Sequence, residues 1–463
     1  MSRVSQPPTP DGVPLLGHGL AFFRDPFGAL QTWASEGSVV HLTFPGQSLY
    51  LITDPDLIEQ VLVERQDAFT IGRQQRETFD GVEDDAVTAT TGNRWKRLRN
   101  GLHPAFTWDG IREYGPRMAE RTARHVDQWA DGEELDLLRE MRLLTLNILG
   151  DTLLGVDIEG DEHLVLDAAD ALVARADPRR FGQLLPNWMP TPTERRFDHR
   201  VSALDDYVAD ILAARSPGDE DVCSVLLAAH ERGDLDSQEI QDNLITLLLA
   251  GHDSATVTLT YAWYEMSRHP DVRSGLTNEV DAVVDDGFPE TDDFDVLERT
   301  RNVVRETLRL CPPAWAVNRE ATERIALGGY EIPVGAQLMM PQWVVHRDER
   351  FWDDPEAFDP SRWERDTDRS EYAYFPFSGG PRHCIGIRFA RPELVMALAT
   401  MAPRGTLDVS VDGTLTFTPS LSLRPETDIE ATVIRDPSVR TTSIRARPGS
   451  RPTPRVRRPR TTL

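Results

Sequence analysis

The residues best placed to do chemistry gather around one cysteine. In Phe377–Gly386, FSGGPRHCIG, Cys384 ends a loop rich in glycine and proline, and a run that reads as a helix begins directly after it. A helix N-terminus offers backbone N–H groups and the positive end of its dipole, and both stabilise a thiolate. Gly380 and Gly386 leave room for a flat macrocycle to approach the backbone, and Arg382 reaches a carboxylate as a fork-shaped donor. A buried cysteine acting as a small hydrophobe is the plainer reading of a lone thiol, and it suits Cys223 and Cys311. Two further donors, Trp95 and Arg99, are spaced i, i+4 and share one helix face. Glu306 and Arg309, at i, i+3, share another, a pairing common on surfaces. Ala250-Gly251-His252-Asp253-Ser254 places an acid beside an alcohol inside a long, mostly apolar helical pattern.

Several elements must position these groups. The spacing predicts a helix from Ser237 to about His269, opened by a capping box of Asp236 and Glu239 and closed by Pro270. Its length, roughly 45–50 Å at the rise of an α-helix, would carry it through the middle of the protein. A second helix is expected near 295–310, stopped by Pro312-Pro313, and a third at about 385–400. Leu49–Thr53 reads as a strand, 325–345 as a small sheet and 405–434 as short strands. Residues 351–383 read as a long ordered loop, and the proline-rich start as an extended lead-in.

The chain has 463 residues and a formal charge of −26, with a single lysine, Lys96, among its basic residues. The last 29 residues, 435–463, carry nine arginines and one acid, hence +8, which leaves −34 on residues 1–434. A surface so acidic and so poor in lysine stays solvated in salt, which points to a halophilic host, with a GC-rich genome as the plainer source of arginine. It argues against nucleic acid as the main partner. Three cysteines make no disulfide framework, and no apolar run is long enough for an anchor, so a soluble cytoplasmic protein is expected. The tail reads as disordered; its charge suits nucleic acid, anionic lipid or the protein's own acidic face, and a segment without a role equally well.

The cysteine loop resembles the haem-binding loop of the cytochrome P-450 family, F-x-x-G-x-R-x-C-x-G, at Phe377, Gly380, Arg382, Cys384 and Gly386. A chance match at those positions is on the order of one in ten thousand. Other motifs follow in the family's order. Glu306 and Arg309, joined by Arg362 in FDPSRW, resemble a buried network that locks the loop. Ala250, Gly251, Asp253 and Ser254 are similar to the oxygen-activation motif, in which a small residue and glycine make space for dioxygen and an acid–alcohol pair relays protons. The family usually has threonine at Ser254. Trp95 and Arg99, with Arg319 in PPAWAVNRE, match donors to haem propionates.

The resemblance covers about 20–430. It implies a mainly α fold with small β-sheets, one large unit over residues 1–434, with a long central helix and haem between that helix and the cysteine loop. It implies haem b with Cys384 as the iron ligand, dioxygen as co-substrate, and monooxygenation of a hydrophobic molecule. A separate donor, a ferredoxin with its reductase, would supply electrons, with Lys96 and Arg97 among the docking cations. By family position, Ala86, Val87, Leu249, Ala250, Trp315, Ala316, Val317 and Leu421 line the substrate pocket, which suits a fatty acid, terpenoid or carotenoid-like molecule. Two other readings stay open: a peroxide-using haem-thiolate enzyme without relay or partner, and a haem-binding sensor without turnover.

Overall fold

In this computed structural model residues 6–82, 84–176, 191–219, 221–284, 287–365 and 368–435 are described; the expected tail beyond Arg435 lies outside them. Six helices carry the site: α1 (Gly92–Leu102), α2 (Leu137–Leu149), α3 (Glu162–Ala176), α4 (Ser237–Arg268), α5 (Glu298–Leu310) and α6 (Ile387–Met401). α4 runs 32 residues without a break. Its capping box forms as the spacing demands: the Glu239 N–H donates to Asp236 Oδ1 at 2.9 Å and the Asp236 N–H to Glu239 Oε2 at 3.1 Å. Leu244, Leu248, Tyr261 and Trp263 are all buried although they lie on different faces. A helix apolar on all sides belongs in the middle of the core.

α2 packs along α4, where the Thr145 and Thr256 hydroxyls bond at 2.8 Å. A Cβ on Gly251 would sit 3.4 Å from Leu149 of α2. That is an ordinary contact distance, so α2 would tolerate a methyl group at this position.

A sheet of five strands flanks the helices: β1 (Val39–Phe44), β2 (Gln47–Ile52), β3 (Phe69–Ile71), β4 (Val317–Ala321) and β5 (Gln337–Met340), in the order β1-β2-β5-β4-β3. β2 and β5 are parallel, and the other pairs are antiparallel. Arg319 pairs with Leu338 on one side and Ile71 on the other, so two neighbouring strands hold its backbone. A short hairpin of β6 (Phe417–Pro419) and β7 (Leu423–Pro425) returns to α4, where Tyr261 Oη donates to the Leu423 carbonyl at 2.6 Å. Among its described residues the long loop before α6 holds only short 3-10 turns as helical structure. Among the described residues the first helix is Gly19–Arg24.

Candidate active site around Cys384

Gly380 bends the cysteine loop with a φ of +66°, and a Cβ there would lie 1.9 Å from the Leu62 carbonyl oxygen. Only glycine fits. The Cys384 N–H donates to the Phe377 carbonyl at 3.0 Å, and Gly386 is the N-cap of α6. Cys384 keeps accessible surface, whereas Cys223 and Cys311 are buried. The protein packed around its sulfur pushes the Cys384 thiol pKa up, and the Gly386 N–H and Arg99 oppose that rise. Burial, the largest influence on each, takes Cys223 and Cys311 up to about 12, as inert thiols.

Cations crowd beside this loop. Arg319 is 8% exposed; its Nη1 donates to the Asn318 carbonyl at 2.8 Å. Burial, with Arg382 nearby, brings its pKa down to about 10. The Arg382 pKa is lowered too, by burial and then by Arg99. Its guanidinium lies 4.5 Å from the centre of the Trp95 ring, and its Nη2 donates to the Thr90 carbonyl at 3.1 Å. Arg99 Nη2 is 3.2 Å from Nε2 of His383, a neighbour no motif had flagged. No acid pairs with Arg99, Arg319 or Arg382 among the described residues. Partly buried like charges are costly unless an anion joins them. This donor set fits a group that brings carboxylates of its own beside a thiolate, as haem does with its propionates.

On α4, Ala250 is exposed although Leu248, Leu249 and His252 are buried, so accessible surface reaches mid-helix. The Ser254 hydroxyl donates to the Ala250 carbonyl at 2.8 Å, back along its own helix. Asp253 turns toward the terminal hairpin. Arg424 Nε donates to Asp253 Oδ1 at 2.9 Å, and Arg424 Nη2 and the Ser422 hydroxyl also reach the carboxylate. Burial works to raise the Asp253 pKa, but Arg424, His252 and Ser422 together hold it below the usual value. Arg424 Nη1 bonds Asp170 of α3 at 2.9 Å, and Arg142 of α2 bonds the same carboxylate at 2.6 Å. His252, beside this chain, has both ring nitrogens buried without partners, and burial drives its pKa down to about 4. Arg424, Ser422 and Asp170 lay outside every motif.

Below the loop, Glu306 accepts from Arg309 Nη2 at 2.8 Å, Arg362 Nε at 2.8 Å and Trp363 Nε1 at 3.0 Å. All three charged residues are buried. Of the expected pocket residues, Ala86, Val87, Leu249, Trp315 and Val317 are buried, and Ala316 and Leu421 are half-buried. Trp315 spends its indole N–H on the Ser420 carbonyl at 2.8 Å. Arg97, expected as a docking cation, instead grips the buried Glu239, with one bond of 2.7 Å.

The profile of the family described as Cytochrome P-450 matches residues 7–428. The chain belongs to the cytochrome P-450 family. It is 32% identical to cyclooctatin synthase of Streptomyces melanosporofaciens, over 85% of this chain and 88% of that protein. It is 30% identical to cyclooctat-9-en-7-ol 5-monooxygenase of the same organism, over 86% and 88%. It is 28% identical to pentalenene oxygenase of Streptomyces avermitilis, over 87% and 91%. As a cytochrome P-450 it is a haem-thiolate monooxygenase that uses haem iron and dioxygen. Its class acts on hydrophobic substrates with electrons from a redox partner. The fold is one mainly helical cytochrome P-450 unit. Among the described residues no helix is long and apolar enough to cross a membrane.

Proposed function

We propose that residues 1–434 form the catalytic domain, with Cys384 as the haem-iron ligand. Trp95, Arg99, Arg319 and Arg382 would hold the propionates, and Phe377, Gly380 and Gly386 would shape the loop beneath the ring. The observation that carries this reading is the gathering of three guanidiniums and an indole, with no acid of their own, beside the one accessible cysteine. Bound haem supplies dioxygen activation; the chain supplies the ligand, a proton path and a pocket. Glu306, Arg309 and Arg362 act structurally, clamping the segment that leads into the cysteine loop.

Asp253 and Ser254 deliver protons. Asp253 takes part once it lets go of Arg424, and the Ser254 hydroxyl, whose proton goes to Ala250, keeps its lone pairs free to accept from a water or the acid. Ala250 and Gly251 keep the helix surface low beside them and leave space for dioxygen.

The pocket is walled by Ala86, Val87, Leu249, Trp315, Ala316, Val317 and Leu421. This apolar set suits a hydrophobic substrate, and the names of two relatives, which specify an alkenol and an alkene, favour a terpenoid-like hydrocarbon or alcohol over a fatty acid. The electron donor is a ferredoxin-type protein with its reductase. Arg388 and Arg391 just after the cysteine loop, and Lys96 of α1, are exposed, with no acid paired to them among the described residues. They offer an acidic donor a landing place on a body that otherwise repels it. The acid-rich, lysine-poor composition supports a salt-adapted host, and three cysteines without a disulfide framework support a cytoplasmic location.

The test is the reduced, carbon monoxide-bound spectrum. The long-wavelength Soret band of thiolate-ligated iron is expected, and its loss in Cys384→His. A protein that stays colourless with ample haem, or keeps the same band without that sulfur, contradicts the assignment.

A further inference from the structure

The segment Asp85–Thr90, just before α1, carries Ala86 and Val87, and its backbone is tied at both ends. The Asp85 N–H donates to Asp242 Oδ2 and the Val87 N–H to Asn243 Oδ1, each at 2.9 Å. Neighbouring residues of α4 thus take the N–H groups of alternate residues of the segment. Asn243 is 0% exposed, and its amide nitrogen donates to the Glu239 carbonyl at 2.6 Å, so its oxygen and its nitrogen each have a partner and the side chain is held in one orientation. Gln238 donates to the other Asp242 oxygen at 2.7 Å. At the far end the Thr90 hydroxyl donates to the Ala86 carbonyl at 2.9 Å, and the Thr90 carbonyl accepts from Arg382. The segment is a closed turn strung between α4 and the cysteine loop. A buried amide is costly unless every polar atom is satisfied, and here the partner that satisfies it is this turn.

We propose that Asn243, with Asp242 beside it, is a positioning residue that sets how far the Ala86–Val87 wall stands over the reacting end of the substrate, and so which substrates fit. The proposal rests on the reading of Ala86 and Val87 as pocket wall given above. Without the acceptor, the Val87 N–H is left buried and unpaired, and the turn moves to find water or another oxygen.

The test uses the full haem-loaded chain and two nitrogen ligands of iron, imidazole and 4-phenylimidazole, each titrated by the shift of the Soret band. Imidazole reaches the iron without the wall, while the phenyl ring presses against it. In Asn243→Leu and in Asp242→Ala the ratio of the two affinities is expected to change by about tenfold, the equivalent of one unpaired buried N–H. Imidazole affinity stays within about twofold of the parent, and the carbon monoxide band is kept. Asp242→Asn retains an acceptor and restores the parent ratio. Hydrogen exchange in residues 80–91 rises by about tenfold or more in Asn243→Leu, with that of α1 unchanged. An unmoved ratio overturns the proposal, whether or not exchange rises.

If Asn243→Leu does not fold, Asp242→Ala and exchange at Asp85 and Val87 in the parent carry the test, and rapid exchange there overturns it. Val87→Phe separates the two readings. If Val87→Phe leaves the ratio alone, the wall reading fails; if it moves the ratio while Asn243→Leu does not, Asn243 alone is removed.

Discussion

Asp253 shows how much a single residue's chemistry depends on its neighbours. Two residues of the terminal hairpin, Ser422 and Arg424, hold the carboxylate, and Arg424 is itself shared with Asp170 of α3. A charged acid in this setting is stable but poorly placed to pick up a proton, so its release from Arg424 belongs to turnover. In Arg424→Met the opposing charge is gone and burial dominates, which raises the Asp253 pKa. The acid limb of the pH profile for product formed per electron consumed is therefore expected to move to higher pH. An unchanged profile in that variant would separate Arg424 from the proton path.

Among the elements, the loop leading to Cys384 has little regular structure of its own, and side chains hold it where backbone ladders do not. Glu306 of α5 is the anchor. It balances Arg309 and Arg362, which in turn bond the carbonyls of His346, Pro355, Ala357 and Asp353. Glu306→Gln leaves two buried guanidiniums without a counter-charge. Removing one partner from a buried pair costs ~3–5 kcal/mol, so urea unfolding should shift by that order and haem should leave the variant faster. A loss below about 1 kcal/mol would mean that this network is relaxed by water.

For the molecule as a whole, stability follows charge and burial together. Glu393 of α6 is 1% exposed, and burial raises its pKa from 4.5 to about 8. The folded state therefore keeps a proton that the unfolded chain gives up near 4.5. Stability held by the neutral form is fully present below that value and is lost as pH climbs toward 8. Glu393→Gln stays neutral throughout, so its stability loss between about pH 5 and pH 9 should be ~3–5 kcal/mol smaller than the parent's. Parallel denaturation midpoints for the two proteins across that window would show the carboxyl to be solvated.

The amino-acid order alone determined the features whose partners lie within one turn or one loop. The Asp236–Glu239 cap, the Glu306–Arg309 pair and the cysteine just ahead of α6 were all legible, because three or four residues of spacing already bring such groups together. Tertiary structure decided what Asp253, Gly251 and Asn243 face. Arg424 lies 171 residues from Asp253, and Asn243 lies 156 residues from Val87. No periodicity links such distant groups; they meet only because α4 crosses the whole core and both the hairpin and the turn before α1 fold back onto it.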